Sequence, residues 1–137
     1  MANEAWIKKE SLEFSRTICH SICFDGVVKL YELGSSENKV NLALSDKLFL
    51  DFYILTEFGI FLRKIESPSS WPLTKLVYFD LNTLDIVDIY VSNSSYQVWK
   101  SSRYAGCKLK ISMEIPITGE EHGVIINEYS PYELSEF

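Results

Sequence analysis

The sequence has few of the residues on which enzyme and metal sites usually depend. It contains 2 histidines and 3 cysteines. An odd number of cysteines cannot pair completely within the chain, so we expect reduced thiols. Histidine is the usual general acid or base at neutral pH, but His20 fits a strand and His122 an acidic turn. With no phosphate-binding loop or nucleophile elbow either, we expect no enzyme, no cofactor and no metal.

Long hydrophobic runs are also missing. The most apolar stretch, residues 48–62, is shorter than the ~20 residues of a membrane helix, and Asp51 and Glu57 interrupt it. The N-terminus lacks the basic-then-apolar order of a secretory signal. These features predict a cytoplasmic protein that does not bind membranes.

The remaining composition is that of an ordinary globular chain. At 137 residues, with 47% hydrophobic and 23% charged residues, residues 1–137 are expected to form a single domain. Only 4 prolines and 6 glycines are present, too few for a fibrous protein. A net charge of −6 argues against nucleic-acid binding, which depends on Lys and Arg meeting phosphates.

Period-two alternation dominates the hydrophobic pattern. Apolar residues alternate strictly with polar ones or proline over residues 108–117, which predicts a half-buried strand. Hairpin turns are expected at Asp25-Gly26, at residues 56–59 and at residues 80–83. The fold class is therefore mainly β (all-β or α+β), an antiparallel sandwich or barrel-like sheet of seven to nine strands.

Other segments give weaker patterns. Residues 3–14 are expected to form a short N-terminal helix, and Val40, Leu42 and Leu44 a strand. Residues 92–102 are polar and are interpreted as a loop. Pro116 suggests an edge position for the strand before it. After a turn at residues 118–123, residues 124–126 are expected to form the last strand.

Charge is distributed very unevenly along the chain. Residues 111–137, the acidic segment, hold six of the 19 acidic residues and none of the 13 basic ones. Acids and bases cancel in residues 1–110, so the whole net charge of −6 lies in this segment. Its glutamates are mixed with Tyr129, Tyr132 and Phe137. A solubilising acidic tail would explain the charges, but the aromatic residues favour a binding surface.

The leading hypothesis is a non-enzymatic, acidic inhibitor of the immunity type, which neutralises a basic toxin or nuclease by occluding its active site. In composition alone, this small, acidic, cytosolic profile without catalytic motifs resembles that of bacterial toxin-immunity proteins. Aromatic rings would supply buried anchors, and the carboxylates would steer association. The predicted contact residues are Glu120, Glu121, Glu128, Tyr129, Tyr132, Glu133 and Glu136.

Two alternatives remain open from the sequence. One is a small ligand-binding protein or enzyme with an apolar cavity walled by aromatic residues, namely Phe49, Phe52, Tyr53, Phe61 and Trp99. The other is a structural or accessory subunit of a virus or phage. Oligomeric state is not encoded in any of these patterns.

Overall fold

The computed structural model describes residues 3–22, 28–92, 98–115 and 117–137. In this part of the chain, eleven strands form two antiparallel sheets of seven and four strands, accompanied by one short α-helix. The predicted mainly-β, antiparallel fold is confirmed, with more strands than expected. The two sheets are not closed into a barrel.

The seven-stranded sheet is a meander in which every strand pairs with the next one along the chain. An α-helix, α1 (Asn38–Leu44), lies between the third and fourth strands. The strands are β1 (Asn3–Lys9), β2 (Leu12–Ile22), β3 (Val28–Ser35), β4 (Leu48–Leu55), β5 (Gly59–Ile65), β6 (Thr74–Asp80) and β7 (Ile86–Ser92). A short 3₁₀ helix, Pro68–Ser70, precedes β6.

The four-stranded sheet is a second meander, with the order β11-β10-β9-β8. Its strands are β8 (Val98–Ala105), β9 (Lys108–Ile115), β10 (Glu120–Asn127) and β11 (Ser130–Glu136). The alternation predicted for β9 is confirmed, because Leu109, Ile111 and Met113 are buried and the residues between them are not. The acidic segment is therefore folded into strands and is not a tail.

The four-stranded sheet packs on one face of the seven-stranded sheet. The alternating side chains of β5 and β6 divide the core, because neighbours along a strand point to opposite faces. One set packs against the second sheet, in a cluster of Phe61, Leu76, Tyr78, Trp99, Leu109, Ile111, Met113, Val124 and Ile126. The other set joins α1 and the first four strands, in a cluster of Ile7, Phe14, Tyr31, Leu33, Val40, Leu44, Phe49, Ile60, Leu62, Val77 and Phe79.

Two expectations for the first half of the chain are wrong. Residues 3–14 form most of a hairpin, not a helix: β1 pairs with β2 across a turn at Glu10, whose φ of 56° is unusual for glutamate and gives no sequence signal. The strand expected around Val40, Leu42 and Leu44 is helix α1. A spacing of four residues fits both one strand face and one helix face, so Val40 and Leu44 did not discriminate between them.

Three expectations for the second half of the chain are also wrong. The predicted loop over residues 92–102 is wrong from Val98 onward, where β8 begins. Strand β9 is not at an edge, because β8 and β10 pair with its two sides. Residues 124–126 are not the last strand, since β11 follows. The predicted Asp25-Gly26 turn lies outside the described residues, whereas the turns at residues 56–59 and 80–83 are confirmed.

Candidate functional site

A cleft of about 460 Å³ opens where hairpin turns of the two sheets meet. The β4–β5 and β6–β7 turns form one wall, and the β10–β11 turn with the start of β11 forms the other. We call this the turn cleft. It is lined by Phe58, Tyr78, Asp80, Asn82, Tyr129, Ser130, Pro131, Tyr132 and Glu133.

The β4–β5 turn is held tightly closed. Thr56 donates its backbone N–H (2.9 Å) and its hydroxyl (2.8 Å) to the carbonyl of Gly59 and accepts the Gly59 N–H on its Oγ1 (3.2 Å). A side chain at Gly59 would collide with the Tyr78 ring and the Phe79 carbonyl. Glycine at this position lets Tyr78 lie against the turn and places Phe58 at the rim of the turn cleft.

The carboxylate of Asp80 is fixed by its own turn. Its Oδ1 accepts hydrogen bonds from the backbone N–H groups of Asn82 (2.8 Å) and Thr83 (3.2 Å). This Asx arrangement explains why Asp occurs at the start of the turn. The negative charge is thereby held at the wall of the turn cleft.

The β10–β11 turn presents Tyr129 to the opposite wall. The backbone N–H of Tyr129 donates to Asn127 Oδ1 (2.9 Å), and the N–H of Glu128 donates to the carbonyl of Cys107 (3.0 Å). The Tyr129 ring packs edge-to-face on Phe58, with 6.1 Å between ring centroids. This aromatic pair joins the turns of the two sheets.

The charged residues that line the turn cleft, Asp80 and Glu133, are both acidic. The nearby charge of Glu128, and then that of Glu57, raises the pKa of Tyr129 by disfavouring the phenolate. Burial raises the pKa of Tyr78. Tyr132 is 64% exposed, and Glu133 lines both the turn cleft and an adjoining cleft of about 260 Å³. The exposed rings of Tyr129 and Tyr132 therefore lie in the same cleft as the carboxylate of Glu133.

The structure brings only part of the predicted contact set together. Tyr129, Tyr132 and Glu133 line the turn cleft, and Glu128 acts on Tyr129 from beside it. Glu120 and Glu121 lie at the opposite end of β10 and, as neighbours on a strand, point to opposite faces. Glu136 pairs in register with Val124 on β10, and its charge acts on Tyr90, whose pKa is raised mainly by burial.

Two of the predicted glutamates are already neutralised. Glu128 accepts a 2.7 Å hydrogen bond from Arg103, and Glu121 lies 3.4 Å from the Lys110 ammonium. In the described part of the chain, no lysine or arginine nitrogen lies within 4.0 Å of the carboxylates of Glu120, Glu133 or Glu136. Of these three, Glu133 alone lines the turn cleft.

Sequence reasoning missed the wall contributed by the first sheet. Phe58, Tyr78, Asp80 and Asn82 lie in or beside turns that the sequence did predict. The patterns gave no sign that these turns face Tyr129, because alternation shows which face a residue occupies and not which sheet covers it.

The aromatic residues of the alternative cavity hypothesis are divided between two faces. Phe49 belongs to the cluster with α1, whereas Phe61 and Trp99 belong to the cluster between the sheets. Phe52 packs edge-to-face on Trp99 at 5.3 Å, and Tyr53 packs on Trp6 at 5.1 Å. They do not surround one common space.

The described residues contain no group of three or more His, Cys, Asp or Glu side chains that could hold a metal ion. Cys19 and Cys107 are free thiols. Cys23, the third cysteine, lies outside the described residues.

Comparison with protein-family models, curated proteins and solved structures gives no match to this chain. Within the ranges that the structure covers, no helix is both long and apolar enough to span a membrane.

Proposed function

We propose that this chain is a non-enzymatic, cytoplasmic binding protein that uses the turn cleft to hold a basic protein. The observation that carries the proposal is the convergence of Tyr129, Tyr132 and Glu133 from one sheet with Phe58 and Asp80 from the other. Within this class, we propose an immunity-type inhibitor that covers the basic active site of a toxin or nuclease.

The chemistry of the turn cleft suits a lysine or arginine side chain. A cation over a tyrosine or phenylalanine ring is attracted by the ring quadrupole, by about 0.5–1 kcal/mol at exposed sites and more when water is excluded. Glu133 and Asp80 can accept charge-assisted hydrogen bonds from the same cation. Tyrosine is enriched at interface hot spots, and the rim around them is polar.

Other acidic residues of the four-stranded sheet are poorer contacts for a basic partner. Glu114 pairs with Lys100 at 3.2 Å, and Glu121 pairs with Lys110. A partner binding there would have to compete with these lysines. We therefore place the centre of the interface at Tyr132 and Glu133, with Glu120 and Glu136 supplying steering charge.

The test uses three forms of the full chain as bait in a lysate of the source cells. The wild type is compared with a Tyr132→Ala/Glu133→Gln variant and with a Glu121→Gln control. We expect a basic protein to be retained by the wild type and the control and lost by the double variant. Retention of the same proteins by all three baits would contradict the proposed interface.

A functional measurement must follow. The captured protein is purified and its enzymatic activity is measured against increasing amounts of each form. Inhibition by the wild type and Glu121→Gln, with at least tenfold weaker inhibition by the double variant, would support the inhibitor class. If the captured protein binds but keeps its activity, the chain would be an adaptor for a basic protein, and an immunity function would be contradicted.

A further inference from the structure

Two arginines of the seven-stranded sheet are each packed against two aromatic rings. The Arg16 guanidinium carbon lies 4.9 Å from the Trp6 ring centroid and 4.4 Å from that of Tyr31. Arg16 also donates to the carboxylates of Glu4 (2.5 Å) and Asp51 (2.6 Å). Its charge is therefore fully compensated within the chain.

Arg63 has the aromatic contacts but lacks the carboxylates. Its guanidinium carbon lies 4.4 Å from the Trp99 ring centroid and 5.6 Å from that of Trp71. Its Nε donates to Thr74 Oγ1 at 3.0 Å. Over the ranges the structure describes, no carboxylate lies within 4.0 Å of this guanidinium, although the residue is only 6% exposed.

Two buried donors at this position have no acceptor among the described residues. They are Arg63 Nη2 and the indole Nε1 of Trp99. A buried donor without an acceptor carries the full cost of losing its water, and a buried cation without a counter-charge costs more. Burial lowers the pKa of Arg63 to about 10, whereas at Arg16 the hydrogen bonds to Asp51 and Glu4 outweigh burial and raise the pKa.

We propose that Arg63 and Trp99 bind a small monovalent anion of halide size, chloride in the cell, at the interface between the two sheets. The Arg63 guanidinium carbon lies 4.4 Å from the Trp99 ring centroid, so the two unpaired donors belong to one contacting pair, and the proposal gives them a single shared acceptor. A halide accepts hydrogen bonds and requires no donor in return. A phosphate or sulfate would bring several oxygens against Phe52, Trp71 and Trp99, and the described residues provide no third unpaired buried side-chain donor for them.

The anion would have a structural consequence. Arg63 belongs to β5 and Trp99 to β8, so an acceptor shared between them links the two sheets. An anion that binds the folded chain but not the unfolded chain stabilises the folded state by mass action. Stability should therefore depend on the identity of the anion as well as on ionic strength.

The first test is thermal unfolding of the full chain at constant ionic strength, with sodium gluconate replaced stepwise by sodium chloride. Each tenfold rise in chloride above its dissociation constant is expected to raise Tm by about 3–6 °C. Arg63→Met, which keeps the length and apolar contacts of the side chain, should remove this dependence. Arg16→Met, the matched control, should lower Tm but keep the dependence on chloride.

The same Tm in chloride and gluconate, or a chloride dependence that survives Arg63→Met, would overturn the proposal. If Arg63→Met does not fold, crystals of the unaltered chain soaked in bromide replace it. An anomalous peak within hydrogen-bonding distance of Arg63 Nη2 and Trp99 Nε1 would support the site. A map without that peak would refute it.

Discussion

Arg103 on β8 donates a 2.7 Å hydrogen bond to Glu128, which directly follows β10, 25 residues further along the chain and on the far side of strand β9. Lys110 pairs with Glu121, and Lys100 with Glu114, each on the neighbouring strand. Bases that precede the acidic segment in sequence are thus its neighbours in space. The glutamates of the segment that lack such a partner among the described residues are fewer than the sequence count suggests, and the net negative charge lies on them.

This pairing predicts the effect of removing Arg103. Arg103→Gln frees the Glu128 carboxylate beside Tyr129 and should strengthen binding of a lysine-rich peptide to the turn cleft. Lys100→Gln makes the same change in net charge but frees Glu114 elsewhere, so it should have less effect. Peptide titrations followed by tyrosine fluorescence measure the difference. Equal affinities for the two variants would show that net charge alone controls binding.

Salt should act mainly on the rate of association. Glu133→Gln is expected to slow association with the lysine-rich peptide at low ionic strength, because screening is weak there and the carboxylate steers the encounter. At ~1 M salt, where the Debye length is about 3 Å, the variant and the wild type should associate at similar rates. Stopped-flow kinetics across the salt series would refute steering if the ratio of rates stayed constant.

Helix α1 offers a matched pair of leucines. Leu44 is 1% exposed and packs in the core, whereas Leu42 is 70% exposed. Leu44→Ala should reduce the free energy of unfolding by about 2–5 kcal/mol, through lost burial and a residual cavity. Leu42→Ala should change it by less than about 0.5 kcal/mol. Urea unfolding measures both, and similar losses would indicate the strand expected from the sequence.

Gly59 should tolerate no side chain. Gly59→Ala forces Tyr78 or the β6 backbone to move and should cost about 2–3 kcal/mol of unfolding free energy. At Gly34 an added methyl would meet only the side chains of Asn41 and Ser15, at 3.2 Å. Gly34→Ala is therefore the milder control. Gly59→Ala should also weaken peptide binding at the turn cleft, which Gly34→Ala should leave unchanged.

The ion pairs of Glu66 with Lys64 and Lys75 stabilise the fold to an extent that depends on pH. Hydrogen bonds from Lys64 (2.8 Å) and Lys75 (3.2 Å) lower the pKa of Glu66 below the ordinary value of 4.5. The stabilisation is therefore complete above pH 4.5 and is lost as the pH falls through the lower folded pKa. Because its side chain is 54% exposed, the contribution is a few tenths of a kcal/mol. Glu66→Gln should flatten the pH dependence of stability between pH 5 and pH 3, which urea unfolding at a series of pH values measures.

Features of the fold that depend on local sequence pattern could be predicted from the sequence. The antiparallel class, the alternation of β9 and two hairpin turns follow from side-chain period and turn chemistry. The β1–β2 hairpin did not follow, because Glu10 adopts a left-handed conformation without a residue that favours it. Helix α1 did not follow either, because Val40 and Leu44 satisfy both periodicities.

The candidate site was only half accessible to sequence reasoning. Tyr129, Tyr132 and Glu133 are close in sequence, and their aromatic and acidic character marked them. Phe58 and Asp80 belong to the same site only because the second sheet packs on β5 and β6. Charge balance in the four-stranded sheet likewise depends on register, which places Arg103 within reach of Glu128.

Both sheets are meanders, and this topology constrains the order in which the molecule can assemble. Each strand pairs with the next along the chain, so backbone pairing requires the closure of short loops only and can proceed by adding one hairpin at a time. Joining the meanders is the long-range event, since it brings Phe61 against Ile111. The turn cleft has one wall from each meander and is therefore completed only at that event. A partner that requires both walls would distinguish the finished molecule from one with its sheets formed but not yet docked.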